Sequence, residues 1–200
     1  MAEITAALVK ELREKSGAGM MDCKKALGAT AGDIEKAIDE LRKLGLASAQ
    51  KRSARATTEG AVDCYIHAGG KIGVMVEVGV ETDFVARSET FKEFTHDLAM
   101  HVAAAGPTWV ARDEVPAEVV EREKAIYAEQ VKGKPANITE KIVTGKLEKF
   151  FAENCLMEQA FIKDPDRSIE QLRTDLVGVV GENVEVRRFI RYQLGESLEG

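Results

Sequence analysis

The amino-acid sequence predicts an α+β protein in which an N-terminal module of three helices precedes an antiparallel sheet covered by helices. Three changes of periodicity support this prediction. Apolar side chains recur at helical spacing through residues 1–46, whereas apolar and polar side chains alternate after Ala61. Helical spacing then returns from about residue 88, and a last strand-like run begins at Val184.

The N-terminal module is expected to contain three short helices within residues 1–46. Apolar side chains recur every four positions from Ile4 until Gly17, a typical helix stop. A brief second helix follows, and the third is expected to begin after the capping residue Asp33 and to end at Gly45. Because helices this short are not stable alone, we expect the three to share one small core.

Residues 47–59 are rich in Ala, Ser, Thr, Lys and Arg and lack an apolar period, which predicts a linker. Its basic side chains could touch RNA, but no aromatic side chain is interleaved with them to stack on bases. We therefore expect solvated charges and no direct binding of nucleic acid. The α+β domain is then expected to span residues 60–200.

The second domain is predicted to open with a β-hairpin, because two alternating runs flank the turn at residues 68–71, Ala-Gly-Gly-Lys. The second of its strands, from Ile72, is apolar enough to be buried on both faces. Ser88 is then expected to cap a helix, Pro116 to begin another, and residues 137–140 to form a capping box for a third.

A second capping box, at residues 168–171, precedes the last predicted helix. The run from Val184 to Leu194 is strand-like. A strand so far along the chain is expected to pair with the first hairpin, which completes the antiparallel sheet.

Composition limits the class of protein. The chain has 200 residues, of which 44% are apolar and 31% charged, as in globular proteins that bury a core. The net charge is −6, yet residues 1–55 carry 11 basic and 8 acidic side chains, a balance of +3. This segment could be drawn to an acidic surface, or its charges could simply be solvated on helix faces.

The sequence also predicts the cellular location of the protein and whether it holds a metal or a cofactor. No apolar run approaches the roughly 20 residues of a membrane-spanning helix, and residues 1–4 do not begin a signal peptide. Cys23, Cys64 and Cys155 lie far apart, without the spacing of zinc ligands. We therefore expect a cytoplasmic protein with free thiols and without metal or cofactor. An intermolecular disulfide, for example at Cys155, stays open because the number of cysteines is odd.

No arrangement of residues for covalent chemistry stands out. His67, His96 and His101 have no Ser or Cys placed to act as a nucleophile. His96 and His101 are five residues apart, rather than the four that place two metal ligands on one helix face. The glycines at residues 17–19 lack a phosphate-binding pattern. An enzyme whose site converges from distant residues stays open as an alternative.

The segment Thr82-Asp83-Phe84-Val85 follows a predicted buried strand and precedes a capped helix, so we expect a turn held between two rigid elements. Its aromatic side chain has two interpretations. Phe84 could fold inward and complete a core while Thr82 or Asp83 caps the helix. Alternatively, Phe84 stays exposed and enters a pocket on a partner, as aromatic side chains at binding hot spots do.

Two segments resemble the signatures of the bacterial elongation factor Ts family. Residues 12–27, LREKSGAGMMDCKKAL, are similar to its opening signature, and residues 32–37, GDIEKA, match the continuation. Residues 82–86, TDFVA, resemble its second signature. The similarity covers nearly the whole chain and fits the short form of the family, which lacks a second core subdomain and a coiled coil. One departure is residues 79–81, Gly-Val-Glu, where the family often has Asn-x-Gln or Asn-x-Glu.

This resemblance implies a ubiquitin-associated-like N-terminal module, elongation factor Tu as the partner, and guanine-nucleotide exchange without covalent chemistry. Arg13, Met20 and Met21 would be contact residues of the module. Phe84 would be inserted beside the nucleotide of the partner, and Asp83 would form the polar edge near the Mg²⁺ that bridges the phosphates of GDP. Dislodging that Mg²⁺ would weaken the binding of GDP.

Two further implications complete the resemblance. Thr82 and Val85 would set the turn that carries the inserted residue, and the short form of the family implies a homodimer. A different class of function stays open beside these, namely a chain- or peptide-binding module. Its binding would reside in residues 1–50 and would be indifferent to GDP.

Overall fold

The computed structural model describes residues 4–133 and 135–196, so the predictions for residues 1–3, Lys134 and residues 197–200 lie outside the described residues. The predicted α+β class is confirmed. The elements follow in the order α1 (Ala6–Ser16), α2 (Met20–Ala29), α3 (Ile34–Arg52), β1 (Glu59–Ile66), β2 (Ile72–Val80), α4 (Asp83–Ala86), α5 (Glu89–Ala105), α6 (Ala117–Gln130), α7 (Ala136–Asn154), β3 (Ala160–Phe161), β4 (Asp164–Ser168), α8 (Ile169–Val180) and β5 (Val184–Gln193).

The chain divides into two compact units, each assembled from segments that are distant in sequence. One unit comprises Met1–Ala61, Val78–Phe94 and Gln171–Glu185, and the other comprises Val62–Glu77, Thr95–Glu170 and Val186–Gly200. These bounds differ from the predicted division at residues 46 and 60. The difference arises because periodicity reports local structure and not which distant segments pack together.

Helices α1, α2 and α3 share one core, as expected for helices too short to be stable alone. Gly17 ends α1 in the left-handed conformation, at φ 67°, and Asp33 caps α3 by accepting the N–H of Lys36 at 3.1 Å. Both ends were predicted. The buried side chains of this core are Val9, Leu12, Cys23, Ala26, Leu27 and Ala37.

The prediction that α3 ends at Gly45 is wrong, because the helix continues to Arg52. The predicted linker at residues 47–59 is therefore helical in its first half. Residues 46–52 are mostly strong helix formers, which explains the continuation. A Cβ atom at Gly45 would lie 3.8 Å from Thr174, and Ala49, one turn later, is buried.

Strands β1, β2 and β5 form a sheet in that order, and the predicted pairing of the last strand with the hairpin is confirmed. Just before β5, the N–H of Asn183 donates to the carboxylate of Glu81, just after β2, at 2.7 Å. At the other end, the N–H of Leu194 donates to the carbonyl of Lys71 at 2.8 Å. These two contacts show that β5 runs antiparallel to β2.

The hairpin of β1 and β2 closes at the predicted turn, where Gly69 and Gly70 have φ of 90° and 68°. The prediction that β2 is buried on both faces holds only for its last residues, 78–80, which are all buried. Earlier in the strand, Met75 is 50% exposed. The sheet therefore has an uncovered face in its first part.

That uncovered face carries exposed apolar side chains from all three strands. Alternate residues of a strand share a face, and a Cβ atom at Gly73 would lie 3.1 Å from Ile66, which places β1 and β2 in register. Arg188 on β5 donates to Glu77, two residues from Met75, at 2.6 Å. We call this surface the open sheet face; its exposed apolar members are Val62, Ile66, Met75, Ile190 and Tyr192.

Helix α5 covers the opposite face of the same sheet. Asp63 on β1 accepts a hydrogen bond from the hydroxyl of Thr95 at 2.8 Å, and the ring of Tyr65 packs edge-on against His96 with 5.8 Å between centroids. Ser88 caps α5 as predicted, because its hydroxyl oxygen accepts the N–H of Phe91 at 3.3 Å.

The remaining helix starts were predicted with mixed success. Pro116 precedes α6 as predicted. Helix α7 begins at Ala136, directly after Pro135, so residues 137–140 lie inside the helix and the predicted capping box there is wrong. Ser168 immediately precedes α8, as predicted. Across residues 4–133 and 135–196, no helix is both long and apolar enough to cross a membrane.

Candidate functional site

The predicted turn at residues 82–85 is a single helical turn, α4, between β2 and α5. Thr82 is its N-cap in an extended conformation, and the hydroxyl oxygen of Thr82 accepts the N–H of Val85 at 3.4 Å. The side chain of Val85 is only 5% exposed, and its carbonyl accepts the hydroxyl of Ser88 at 2.8 Å. The turn is therefore anchored to the protein at both of its ends. Residues 82–88, which include the segment 82–85 predicted to insert into a partner, are called the insertion loop below.

Phe84 lies on the outer side of this anchored turn and is 82% exposed, more than any other large hydrophobic side chain in the described ranges. The interpretation in which Phe84 completes a core is therefore excluded. Next to it, Asp83 forms an ion pair with Arg87 at 3.0 Å, and both of these side chains are mostly exposed. Exposed ion pairs of this kind add little to stability, so the Asp83 carboxylate remains free to change partners.

The base of the insertion loop is bound by a residue that sequence analysis did not identify. Glu182, in the turn between α8 and β5, accepts the backbone N–H of Thr82 at 3.0 Å and its hydroxyl at 2.6 Å. No sequence pattern links these positions, because they are separated by 100 residues.

A second set of hydrogen bonds braces the same base. Glu81 accepts the N–H of Asn183 at 2.7 Å and a hydrogen from the guanidinium of Arg55 at 3.3 Å. The buried side-chain amide of Asn183 donates to the carbonyls of Arg55 and Ser53, at 3.0 and 3.4 Å. The residues that follow α3 are thus tied directly to the start of the insertion loop.

The three predicted contact residues of the N-terminal module are all exposed. Met20 and Met21 open α2 and are 60% and 65% exposed, while Arg13 lies exposed on α1. Neither methionine therefore belongs to the core. The turn before them is held in place, since the thiol of Cys23 is buried and lies 3.6 Å from the carbonyl of Ala18.

The C-terminal end of α8 borders both predicted regions. A Cβ atom at Gly17, in the turn before Met20, would lie 3.5 Å from Val179, whereas Glu182 holds Thr82. Three residues of chain span at most about 10 Å. The structure thus brings the two regions that resemble the family signatures to one short segment, a proximity that their spacing in sequence does not reveal.

The other residues considered for chemistry do not form a reactive group. His101 is fully buried, where burial lowers the pKa of its imidazole, and its Nε2 lies 2.9 Å from the side-chain oxygen of Gln159. Burial raises the pKa of the Cys155 thiol to about 11, whereas Cys64 is exposed. In the part of the chain that the structure describes, no group of three His, Cys, Asp or Glu side chains could hold a metal ion.

Comparison with known proteins finds similarity along nearly the whole chain. A family model described as "Elongation factor TS" matches residues 3–196. Elongation factor Ts of Geobacter sulfurreducens is 60% identical over 198 residues, which cover 98% of this chain and 92% of that protein. Elongation factor Ts of Acetivibrio thermocellus is 54% identical over 198 residues, with the same coverage of 98% and 92%. The matched region includes the insertion loop and the N-terminal module.

Proposed function

Because the chain belongs to the elongation factor Ts family and is therefore a translation elongation factor, we propose that it is a guanine-nucleotide exchange factor for elongation factor Tu. The observation that carries this proposal is the position of Phe84, which is 82% exposed on a helical turn anchored at both ends. An exposed aromatic side chain on a rigid support is what an inserted residue needs, since its insertion breaks no internal packing.

The exchange begins with docking of the N-terminal module on the partner. Met20 and Met21 supply an adaptable apolar contact, because unbranched thioether side chains adjust to irregular surfaces. Arg13 supplies a planar cation that can pair with a carboxylate. The balance of +3 over residues 1–55 favours an acidic surface on the partner. Docking of this module brings the insertion loop to the nucleotide site.

Insertion of the loop then weakens the binding of GDP. Phe84 enters beside the nucleotide, and Asp83 exchanges its exposed ion pair with Arg87 for contacts near the Mg²⁺ of the partner. Displacing that cation leaves the phosphate charge of GDP uncompensated, so GDP dissociates faster. The factor itself forms and breaks no covalent bond in this scheme.

Thermodynamic linkage determines how the cycle ends. If the factor lowers the affinity of its partner for GDP by some ratio, a bound nucleotide lowers the affinity for the factor by the same ratio. Incoming GTP therefore releases the factor, and this release requires no covalent reaction of the factor. A pre-ordered insertion loop raises the efficiency of this cycle, because little conformational entropy is lost on each binding event.

The test is the release of labelled GDP from elongation factor Tu, with and without this protein, over a range of Mg²⁺ concentrations. We expect Phe84→Ala to lower the maximal release rate about tenfold or more while binding to the partner is retained. Ile138→Ala, which removes an exposed apolar side chain on α7, is the matched control and should release GDP like the unmodified protein.

Unchanged release by a folded Phe84→Ala protein that still binds the partner would remove the insertion role. A protein that never accelerates release, and whose binding is indifferent to GDP, would instead favour the alternative of a chain- or peptide-binding module. Turnover of a small substrate would favour the enzyme alternative.

The open sheet face supports a second proposal, a homodimer. Five exposed apolar side chains on one side of a sheet form a larger apolar surface than isolated exposed residues do. We propose that two copies of the chain cover this face mutually, as the twofold symmetry of most homodimers requires. Sedimentation should give a dimer for the unmodified protein and a monomer for Met75→Glu. A monomer for both at tens of micromolar would contradict this proposal.

A further inference from the structure

The N-terminus of α4 lacks a local partner for one of the two hydrogen bonds of a capping box. In a capping box, the N-cap hydroxyl accepts the N–H of the third helical residue, whose carboxylate or amide accepts the N–H of the N-cap in return. Here Thr82 is the N-cap and the third helical residue is Val85, which has no polar side chain. Val85 is instead buried and anchors the turn, so the reciprocal hydrogen bond must come from elsewhere.

Glu182, in the turn between α8 and β5, supplies the missing acceptor for the N–H of Thr82. Its carboxylate accepts the N–H of Thr82 at 3.0 Å, and it also accepts the Thr82 hydroxyl at 2.6 Å. A hydroxyl has one hydrogen, and giving that hydrogen to Glu182 leaves the oxygen lone pairs of Thr82 to accept the N–H of Val85. The carboxylate thus fixes the orientation in which the Thr82 hydroxyl can cap the helix.

We propose that Glu182 is a positioning residue of the insertion loop, which completes the cap of α4 and so holds Phe84 outward before the partner arrives. This inference rests on the proposed function, in which Phe84 enters the partner. It adds a residue that lies outside both segments resembling the family signatures and that makes the loop ready for insertion.

Two observations show that Glu182 is suited to this role. Hydrogen bonds to an ionised carboxylate are stronger than those between neutral groups, and both carboxylate oxygens of Glu182 accept hydrogen bonds from one residue, Thr82. The next residue, Asn183, is buried and hydrogen-bonded to Glu81 and Arg55, so the backbone that carries Glu182 is itself held in place.

Loss of the Glu182 carboxylate leaves the N–H of Thr82 without its acceptor and its hydroxyl free to rotate. The single turn of α4 then has to be ordered during each encounter with the partner, and this entropy is lost at the insertion step and not at docking. The expected signature is a lower maximal rate of GDP release at a nearly unchanged half-saturating concentration, which distinguishes positioning from a general loss of binding.

The experiment compares Glu182→Ala with the unmodified protein in two measurements. Amide hydrogen exchange of Val85 in the free protein should accelerate about fivefold or more, because its acceptor is no longer oriented. The maximal rate of GDP release should fall about tenfold, with the half-saturating concentration changed by less than about threefold. Glu140→Ala removes an equal charge from an exposed position on α7 and should leave both quantities unchanged.

Two further variants keep the test decisive if Glu182→Ala folds poorly. Glu182→Gln retains one acceptor for the N–H of Thr82 and should restore part of the release rate. Thr82→Val removes the hydroxyl partner, so adding Glu182→Ala to it should slow release by much less than the two separate effects combined.

The outcomes separate this inference from the proposed function. If Val85 is as protected in Glu182→Ala as in the unmodified protein, the positioning role is wrong whatever the release rate. A maximal rate that stays unchanged in Glu182→Ala, while Phe84→Ala slows release, also overturns it. A Phe84→Ala protein that releases GDP at the unmodified rate overturns the proposed function instead, and the protection of Val85 still reports on Glu182.

Discussion

The carbonyl oxygen of Val78 occupies the space that a side chain on Gly60 would need. A Cβ atom at Gly60 would overlap that oxygen and would lie 2.9 Å from Cα of Gly79, and both of these are backbone atoms of the adjacent strand. Gly60 also has φ of 148°, which side chains rarely allow. The two strands thus approach closely at a point where only glycine fits, near the end of β2, the strand that leads to the insertion loop.

Gly60→Ala should therefore destabilise the protein by about 3 kcal/mol or more, because the backbone of β2 has to shift or the strain has to be retained. Urea unfolding measures this change. Gly145→Ala is the matched control within the same chain, since Gly145 lies inside α7 with no atom within 4 Å of an added Cβ atom. That replacement should stabilise the protein by about 0.5–1 kcal/mol. Equal effects of the two substitutions would contradict the close approach.

Docking and insertion should respond to different substitutions. Replacing both Met20 and Met21 by Ala should raise the half-saturating concentration for GDP release about tenfold or more, because two exposed apolar contacts are lost. The maximal release rate should stay unchanged, since Phe84 and its support are intact. Ile126→Ala, at an exposed apolar position on α6, is the control. A fall in maximal rate at unchanged half-saturation would show that the methionines act in insertion.

His101 should make stability depend on pH. Burial lowers the pKa of its imidazole below the usual value of about 6.5, and the N–H of Ile162 donates to Nδ1 at 3.4 Å, a bond that needs the neutral ring. Below about pH 6.5 the unfolded chain therefore binds a proton that the folded protein resists, and the free energy of unfolding falls as pH falls. Chemical denaturation between pH 5 and 8 should show a shallower decline for His101→Gln. Parallel declines would contradict this assignment.

The thiols should differ sharply in reactivity. Cys64 is exposed, whereas Cys23 and Cys155 are buried, and burial raises the pKa of Cys155 to about 11. Alkylation of the native protein at neutral pH should therefore label Cys64 alone, because the thiolate is the reactive species. Mass spectrometry counts the labels, and Cys64→Ser should abolish native labelling. Rapid labelling of Cys155 would contradict its burial. An intermolecular disulfide at Cys155 would likewise require local unfolding.

Local rules predicted most of the helix ends and strands. Gly17, Asp33 and Ser88 act where caps are expected, because capping depends on hydrogen bonds within a few residues. The predicted end of α3 was wrong because Gly45 was taken as a stop, whereas the helix formers that follow it continue the helix to Arg52. A glycine inside a helix and a glycine that ends one look the same in one sequence.

The candidate site was predictable only in part. The residues of the insertion loop and the methionines were identified through the family resemblance, and their exposure could not be inferred from the pattern, since an aromatic residue in a turn serves a core as readily as a surface. Glu182 carries no local signal, because its partner Thr82 lies 100 residues earlier. Contacts of that kind follow from the tertiary fold, and periodicity does not report them.

Helix α3 has 19 residues and is therefore about 28 Å long. It begins in the core of the N-terminal module, and Ser53 and Arg55 at its far end hold the base of the insertion loop. Helix α3 therefore joins the core of the module to the base of the insertion loop as a continuous rod and not as a flexible tether. One residue inserted into this rod would turn its far end by about 100° and misdirect Phe84. Under the proposed function, the length of α3 sets where Phe84 meets the partner.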